Sequence, residues 1–328
     1  MKWLIRVAIV LVLLVVVAAV AGVVMIDSIA TAAVTKGAAF ATQTDADCEK
    51  VDVKLFGSAG EIRQLEIKNP DGPYTQFAET FDSPYKQAFE NFLVLGNGKA
   101  EVTAGSVLSD KIEIPRVELS DIEITLIGKD GKKNYETILE SLKRFQGDTP
   151  PKGTEDQKKV VIKELIIRNI TVYYYFDKDP ALDAIAVGPK KIVIADDEPM
   201  VLKDVGSGGV PMSQITADII ADVLVQVMAN MGDDLGNHVL GLTASLTDTL
   251  GVEQLQGTLS DLGLADFDLG EKLKDLTALG GEFGEQAGEW IKQGGSVLEG
   301  ILGGDNNNEE GDGGDGGSLL DRGRDLLN

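Results

Sequence analysis

From Val7 to Ile26 the chain is uncharged and almost wholly apolar, a run of twenty residues with Lys2 and Arg6 before it and Asp27 after it. At helical rise such a run spans about 30 Å, the hydrocarbon thickness of a bilayer. The pattern predicts a transmembrane anchor over residues 1–27. The cations ahead of it leave a short N-terminus in the cytoplasm and send the bulk of the chain across the membrane. Ala19-Val20-Ala21 also fits a signal-peptide cleavage site. Against cleavage, the run stays apolar through Val23, Val24, Met25 and Ile26, past the usual signal core.

The pattern then changes three times. Residues 28–47 are small and Ala-rich and predict a helical stalk. Residues 48–210 are dense in Val, Ile and Tyr, punctuated by turn signals at Gly57, Asn69-Pro70-Asp71-Gly72, Gly96-Asn97-Gly98, Asp130-Gly131 and Pro150-Pro151. That predicts a β-rich domain. Within it one spacing recurs, with apolar residues at i, i+3 and i+5: Ile62, Leu65 and Ile67; then Leu119, Ile122 and Ile124, continuing to Leu126; then Ile162, Leu165 and Ile167. The last two positions alternate as a strand does. The first step breaks the two-residue period, as a bulge or a bend would. The spacing predicts strands of one sheet, each with one apolar face and each bent near its start.

Two short helices are expected inside this region. One is near Tyr85–Phe92, started by Ser83 as N-cap with Pro84 at the first helical position. The other runs from Asn134 to Phe145, with Asn134 as N-cap. In Tyr173-Tyr174-Tyr175-Phe176, Tyr174 and Phe176 share a face with Val172 while Tyr173 and Tyr175 share the other. Aromatics on both faces predict a strand covered on both sides.

Met212 to Met231 is the clearest helix, with a wide apolar stripe through Met212, Ile215, Ile219, Ile220, Val223, Leu224, Val227, Met228 and Met231. It carries no Lys or Arg beside the stripe, unlike a membrane-surface helix, and reads as a cover for the sheet (residues 211–231). Residues 232–302 carry spaced leucines among Gly, Thr and Asp and predict helical segments broken at glycine. Residues 303–328 begin with a stretch of Asn, Gly, Asp and Glu only, which predicts disorder, and close on a possible short helix at Leu319–Leu327.

Charge sharpens this division. The chain carries 30 Lys+Arg and 53 Asp+Glu, a net charge of −23. From 27 to 210 the balance is 23 − 31 = −8; from 211 to 328 it is 5 − 22 = −17. No basic patch exists to bind nucleic acid, and the acidic C-terminal part suits recruitment of a protein partner.

Candidate chemistry is sparse. Cys48 is the one cysteine and forms no internal disulfide; it reads as a small, half-buried strand residue. His238, the one histidine, lies in a polar Gly-Asn-His stretch and reads as a surface residue. Asp196-Asp197-Glu198 has carboxylates for Ca²⁺ but no cation-binding loop pattern, and reads as a solvated turn. Gly206-Ser207-Gly208-Gly209 lacks the lysine and spacing of a phosphate loop and reads as a flexible connection from strand to helix. No metal, cofactor or catalytic constellation is expected, and the chain is read as a non-enzyme.

Three segments carry a family resemblance. The first runs from Leu55-Phe56-Gly57 through Leu65 and Ile67 into Asn69-Pro70-Asp71-Gly72. The second runs from Ile122, Ile124 and Leu126 into Asp130-Gly131 and Asn134, followed by a helix. The third runs from Val160 to Tyr175. Together they resemble AsmA-like proteins of the bacterial envelope, which are related to the chorein end of bridge-like lipid-transfer proteins. The resemblance covers residues 1 to about 230. It implies an α+β fold in which an N-terminal anchor is followed by a curved, mostly antiparallel, groove-like sheet with a few packing helices. It also implies a single-pass protein of the inner membrane, with its bulk in the periplasm, that binds phospholipid or another acyl lipid for envelope lipid transport or outer-membrane biogenesis. The lipid-lining candidates are Ile62, Leu65, Ile67, Ile122, Ile124, Leu126, Ile162, Leu165 and Ile167. The same nine residues fit an ordinary core beneath helices. This chain departs from the family in its short sheet and its acidic C-terminal part. The alternative function is a membrane-tethered scaffold or assembly factor that recruits an envelope partner through residues 232–328.

Overall fold

The computed structural model describes residues 27–54, 59–101, 103, 106, 109–145, 152, 158–231, 235–264 and 266–293. The anchor expected over 1–27 falls outside the described residues except for Asp27, and the tail expected over 303–328 falls outside them entirely.

A helix over residues 27–42 (α1) leads into strands β1 (Ala46–Lys54) and β2 (Ala59–Lys68). Two short helices follow, α2 (Tyr74–Ala78) and α3 (Tyr85–Ala88). Then come β3 (Asn91–Glu101), the long β4 (Lys111–Lys129) and the two-residue β5 (Lys132–Lys133). Helix α4 (Asn134–Leu142), extended by a 3-10 turn over Lys143–Phe145, precedes the long β6 (Lys159–Phe176). Strands β7 (Val187–Ile194) and β8 (Met200–Pro211) close the sheet, and α5 (Met212–Met231) starts at the next residue. Four helices complete the described chain: α6 (His238–Leu250), α7 (Val252–Asp261), α8 (Leu269–Leu279) and α9 (Gly281–Gln293).

The fold is α+β, built on one mixed, open eight-stranded sheet. The order is β1-β2-β3-β4-β6, with β7 and β8 end to end along the far side of β6. The longest pairing, β4 with β6, is parallel, joined by the α4 crossover; the others are antiparallel. The sheet is thus mostly antiparallel, as expected, and the one parallel pairing at its centre makes it mixed. The cause is α4, whose rise across the sheet returns the chain to the end from which β4 started.

The recurring i, i+3 step is a single transverse crease. Gln64 (φ 44°), Asp121 (φ 59°), Asn169 (φ 52°) and Ala195 (φ 56°) each hold a left-handed conformation. The registers put Gln64 opposite Gly96, Gly96 opposite Asp121, and Asp121 opposite Asn169. Asn169 N donates to Ala195 O at 2.9 Å. Buried positions change parity at the same line in every lane: Cys48 to Val51, Leu95 to Gly98, Leu119 to Ile122, and Ile167 to Ile170. The expected third repeat, Ile162 to Leu165, is therefore misaligned: the counterpart of Leu119–Ile122 is Ile167–Ile170. The break at Ile162 is a second one, beside Pro115 of β4. The registers run unshifted across this line, so the break is a left-handed residue shared by neighbouring strands and not a β-bulge, in which an extra residue would shift the pairing.

Four other local expectations are revised. The helix expected at 85–92 is only Tyr85–Ala88, with Pro84 as N-cap after a cis Ser83–Pro84 bond, and Phe92 belongs to β3. Asn134 is the first helical residue rather than the cap, which is Lys133. Gly206–Gly209 is not a connection: the register jumps from Ile162↔Val205 to Val160↔Val210, so these residues bulge out of β8. His238 is buried, because the Gly236–Asn237 turn folds it inward onto Phe176. The breaks at Gly251, Gly263 and Gly280, all at positive φ, separate α6 to α9 as expected.

Candidate functional site

The nine candidate residues all lie on one face of the sheet. Ile62, Leu65 and Ile67 are in β2, Ile122, Ile124 and Leu126 in β4, and Ile162, Leu165 and Ile167 in β6. The crease keeps them together, since each parity change would otherwise turn the following residues to the opposite face. Eight of them are buried, and Ile62 is half-buried against the same cluster.

What buries them is the chain itself. The cluster continues into Ala38 and Ala41 of α1, into Ile138, Leu139 and Leu142 of α4, and into α5 and α6. Helix α5 alone buries Ile215, Ile220, Val223, Leu224, Val225, Val227, Met228 and Met231. By length and composition it is the one described helix that could cross a membrane, yet it is mostly buried in the body. Burying a large aliphatic side chain contributes about 1.5–3 kcal/mol, so those eight amount to ~12–24 kcal/mol as an upper bound. Total domain stability is about 5–15 kcal/mol. Lifting α5 from the sheet thus costs as much as unfolding.

Three cavities of about 100, 190 and 270 Å³ lie between the helices and at the β8 edge, and none of the nine residues lines any of them. Small-ligand pockets run about 300–1,000 Å³, so none of these accommodates an acyl chain together with a headgroup.

The two turns that carry the family resemblance meet in space. Asn134 is fully buried at the start of α4. Its Oδ1 accepts from Ile127 N and from Tyr135 N, both at 2.8 Å. Its Nδ2 donates to Thr125 O at 2.7 Å and to Asn69 Oδ1 at 2.8 Å. Asn69 Nδ2 in turn donates to Phe89 O at 2.8 Å. The Asp130–Gly131 hairpin, with both residues at positive φ, delivers Asn134 to this point. One side chain thereby ties α4 to β4, β2 and the end of α3.

The other face carries the strands' charged residues, with Val161 and Ile166 buried among them, and one packed patch. Tyr74, Ala78, Ala88, Phe89, Ile127 and Tyr173 form a second small core, with Phe77, Phe81, Tyr85 and Tyr175 packed against it. Tyr173 and Tyr175 therefore lie opposite Tyr174 and Phe176, and this strand is covered on both sides as its pattern predicts. Along the crease, Asp121 Oδ2 accepts from Asn97 Nδ2 at 3.0 Å and Oδ1 accepts from Asn169 Nδ2 at 2.7 Å. These bonds, Asn97 first, hold the Asp121 carboxyl below the usual range.

Two titratable groups, the buried His238 and the half-buried Asp222, were not singled out by the sequence. His238 stacks on Phe176 at 4.7 Å and its Nε2 lies 2.8 Å from Ile185 O. Burial pushes its imidazole down from the ordinary value. Asp222 on α5 faces the 270 Å³ cavity between β8, α5 and α7. Burial, then the charges of Asp218 and Asp261, push its carboxyl up to about 7. Cys48 is buried in β1, and burial raises its thiol. Asp196, Asp197 and Glu198 form an exposed turn, and no cluster of three or more potential metal ligands occurs among the described residues.

Compared with family models, with curated proteins and with solved structures, the chain finds no match in any of the three.

Proposed function

We propose that this is a non-enzymatic, membrane-tethered extracytoplasmic scaffold of the cell envelope, held by residues 7–26 and recruiting a partner through its acidic C-terminal part. One observation carries the reading: the apolar face that would serve a lipid carrier is filled by α1, α4, α5 and α6 of the same chain. The recruiting element follows from charge. Between Val252 and Gln293, nine exposed carboxylates stand against three lysines (Glu253, Asp261, Asp266, Asp268, Glu271, Asp275, Glu282, Glu285 and Glu289 against Lys272, Lys274 and Lys292). Such a surface suits a basic protein partner and repels anionic lipid.

A second reading is an AsmA-like lipid carrier of the inner membrane whose curved sheet contributes to envelope lipid transport. The observation favouring it is the Asn69–Asn134 bond, which joins the two turns that resemble that family. Native mass spectrometry of the full chain released from detergent separates the two. The scaffold reading expects protein free of phospholipid. About one phospholipid or more per chain, retained through delipidating washes, refutes it in favour of the carrier.

A further inference from the structure

Lys133 is the one Lys, Arg, Asp or Glu among the described residues that is buried. It ends β5, just before Asn134 starts α4. Room for its amine comes from α6. A Cβ on Gly241 would stand 3.2 Å from Lys133 Nζ and 3.6 Å from the Tyr135 hydroxyl, so glycine at that position leaves a notch. The Phe283 ring of α9 lies over Nζ, its centre 5.8 Å away. The Tyr135 hydroxyl is buried at the same notch and has no hydrogen-bond partner.

Two carboxylates reach this amine. Glu136 Oε1, in the first turn of α4, is 3.0 Å from Nζ, and Asp179 Oδ2 is 3.2 Å from it. The two oxygens of Asp179 have separate tasks. Oδ1 accepts from Ala181 N at 3.1 Å and caps the 3-10 turn Pro180–Leu182, while Oδ2 faces Lys133. The backbone of Asp179 is fixed by a pair of bonds with Ala184: Asp179 N donates to Ala184 O at 3.0 Å, and Ala184 N donates to Asp179 O at 2.9 Å. Only 8% of the Lys133 side chain and 21% of the Asp179 side chain are exposed, whereas Glu136 opens further to solvent. Every other lysine or arginine in an ion pair among the described residues keeps 29% or more of its side chain exposed. Holding an ammonium and a carboxylate away from water is costly, and a neutral product of the two escapes that cost.

We propose that Lys133 and Asp179 condense to a side-chain amide, a covalent cross-link between the start of α4 and the connection from β6 to β7. The Nζ–Cγ bond forms and the Cγ–Oδ2 bond breaks. Nζ gives up two protons, Glu136 passes both to Oδ2, and Oδ2 leaves as water. No oxidant or reductant enters, and Glu136 ends as the carboxylate it began. Oδ1 becomes the amide oxygen and still accepts from Ala181 N, so the cap survives. The chain has one cysteine and can form no disulfide of its own. This bond does a disulfide's work instead: it closes the segment from 133 to 179, α4 and β6 included, into a loop that persists in denaturant.

The test reads tryptic peptides by mass spectrometry, from the full chain purified folded in detergent, then denatured in urea and digested. Trypsin cannot cut after a Lys133 whose amine is acylated. The expected species is therefore 133–143 joined to 179–190, lighter than the two peptides together by one water, about 18 Da. Separate peptides 134–143 and 179–190 from most of the protein overturn the proposal. So does a water loss that maps to other residues, or one that persists in Lys133→Arg. Glu136→Gln keeps the size of the side chain and cannot carry the protons. It should match the parent by circular dichroism and leave most chains unlinked; full linkage in that variant overturns the proton route through Glu136.

Discussion

Replacing Asp222 by Asn should stabilise the protein, and only at neutral to alkaline pH. Asp222 lies on α5 at the cavity lined by Lys203, Asp218 and Asp261. Burial first, then Asp218 and Asp261, raise its carboxyl from 3.8 to about 7. The folded state thus holds its proton more tightly than the unfolded state. The stability this contributes is whole below pH 3.8 and is lost as pH rises to about 7. A shift of ~3 units at about 1.4 kcal/mol per unit sets a ceiling of ~4 kcal/mol. The cavity faces solvent, so about 2 kcal/mol is expected. Asparagine keeps the shape and hydrogen-bonding reach of the protonated acid and never ionises. At pH 8 the variant should therefore melt ~4–8 °C above the parent, at about 2–4 °C per kcal/mol; at pH 4 the two should coincide. Thermal unfolding followed by circular dichroism at both pH values decides it. A variant no more stable than the parent at pH 8, or equally stabilised at pH 4 and pH 8, refutes the reasoning.

Leu165→Ala should destabilise by about 2–5 kcal/mol in lipid-free protein, because Leu165 is core; a change under about 1 kcal/mol in urea unfolding would mark the site as an unfilled groove. Asn134→Ala orphans Ile127 N and Thr125 O together with Asn69, and should cost roughly 3–5 kcal/mol by urea titration. Gly206→Ala places a methyl group against Ile215 Cδ1 and 2.9 Å from Val160 O while forcing alanine to a φ of +72°. A loss of about 2 kcal/mol or more is expected, read as a lowered denaturation midpoint. For His238 the sign is opposite to that of Asp222. Its folded pKa is depressed below 6.5 by burial, so its contribution is whole above pH 6.5 and is lost as pH falls through the folded value. With Asp222→Asn as background, stability should fall between pH 7 and 5, and adding His238→Gln should flatten that slope.

Much of the fold is written locally. Met212–Met231 is a helix with the bounds its stripe implies, because a wide apolar arc at 3.6 spacing needs no outside information to be recognised. The glycines after α6, α7 and α8 end helices because their backbone requires positive φ. The two-faced aromatics Tyr173 to Phe176 announce a strand packed on both sides, and the structure packs it so. The i, i+3 step announces a break in the strand, and Gln64 and Asp121 make it as left-handed residues with the register unshifted.

What the sequence could not determine by itself is which segments meet. An apolar strand face looks the same whether a lipid, another chain or its own helix covers it; only the return of α5 and α6 over the sheet made Leu65, Ile124 and Leu165 a core. The parallel β4–β6 pairing depends on where the α4 crossover lands, and the alignment of the left-handed residues into one crease depends on registers between strands far apart in sequence. His238 is polar by type and buried by the turn before it. The apolar period of each element, its breaks and its helix ends are local properties of the chain. The occupant of the apolar face, the burial of His238, the half-buried place of Asp222, and the bonds from Asp27 and Thr31 to β1 are set by long-range packing, which no local period encodes.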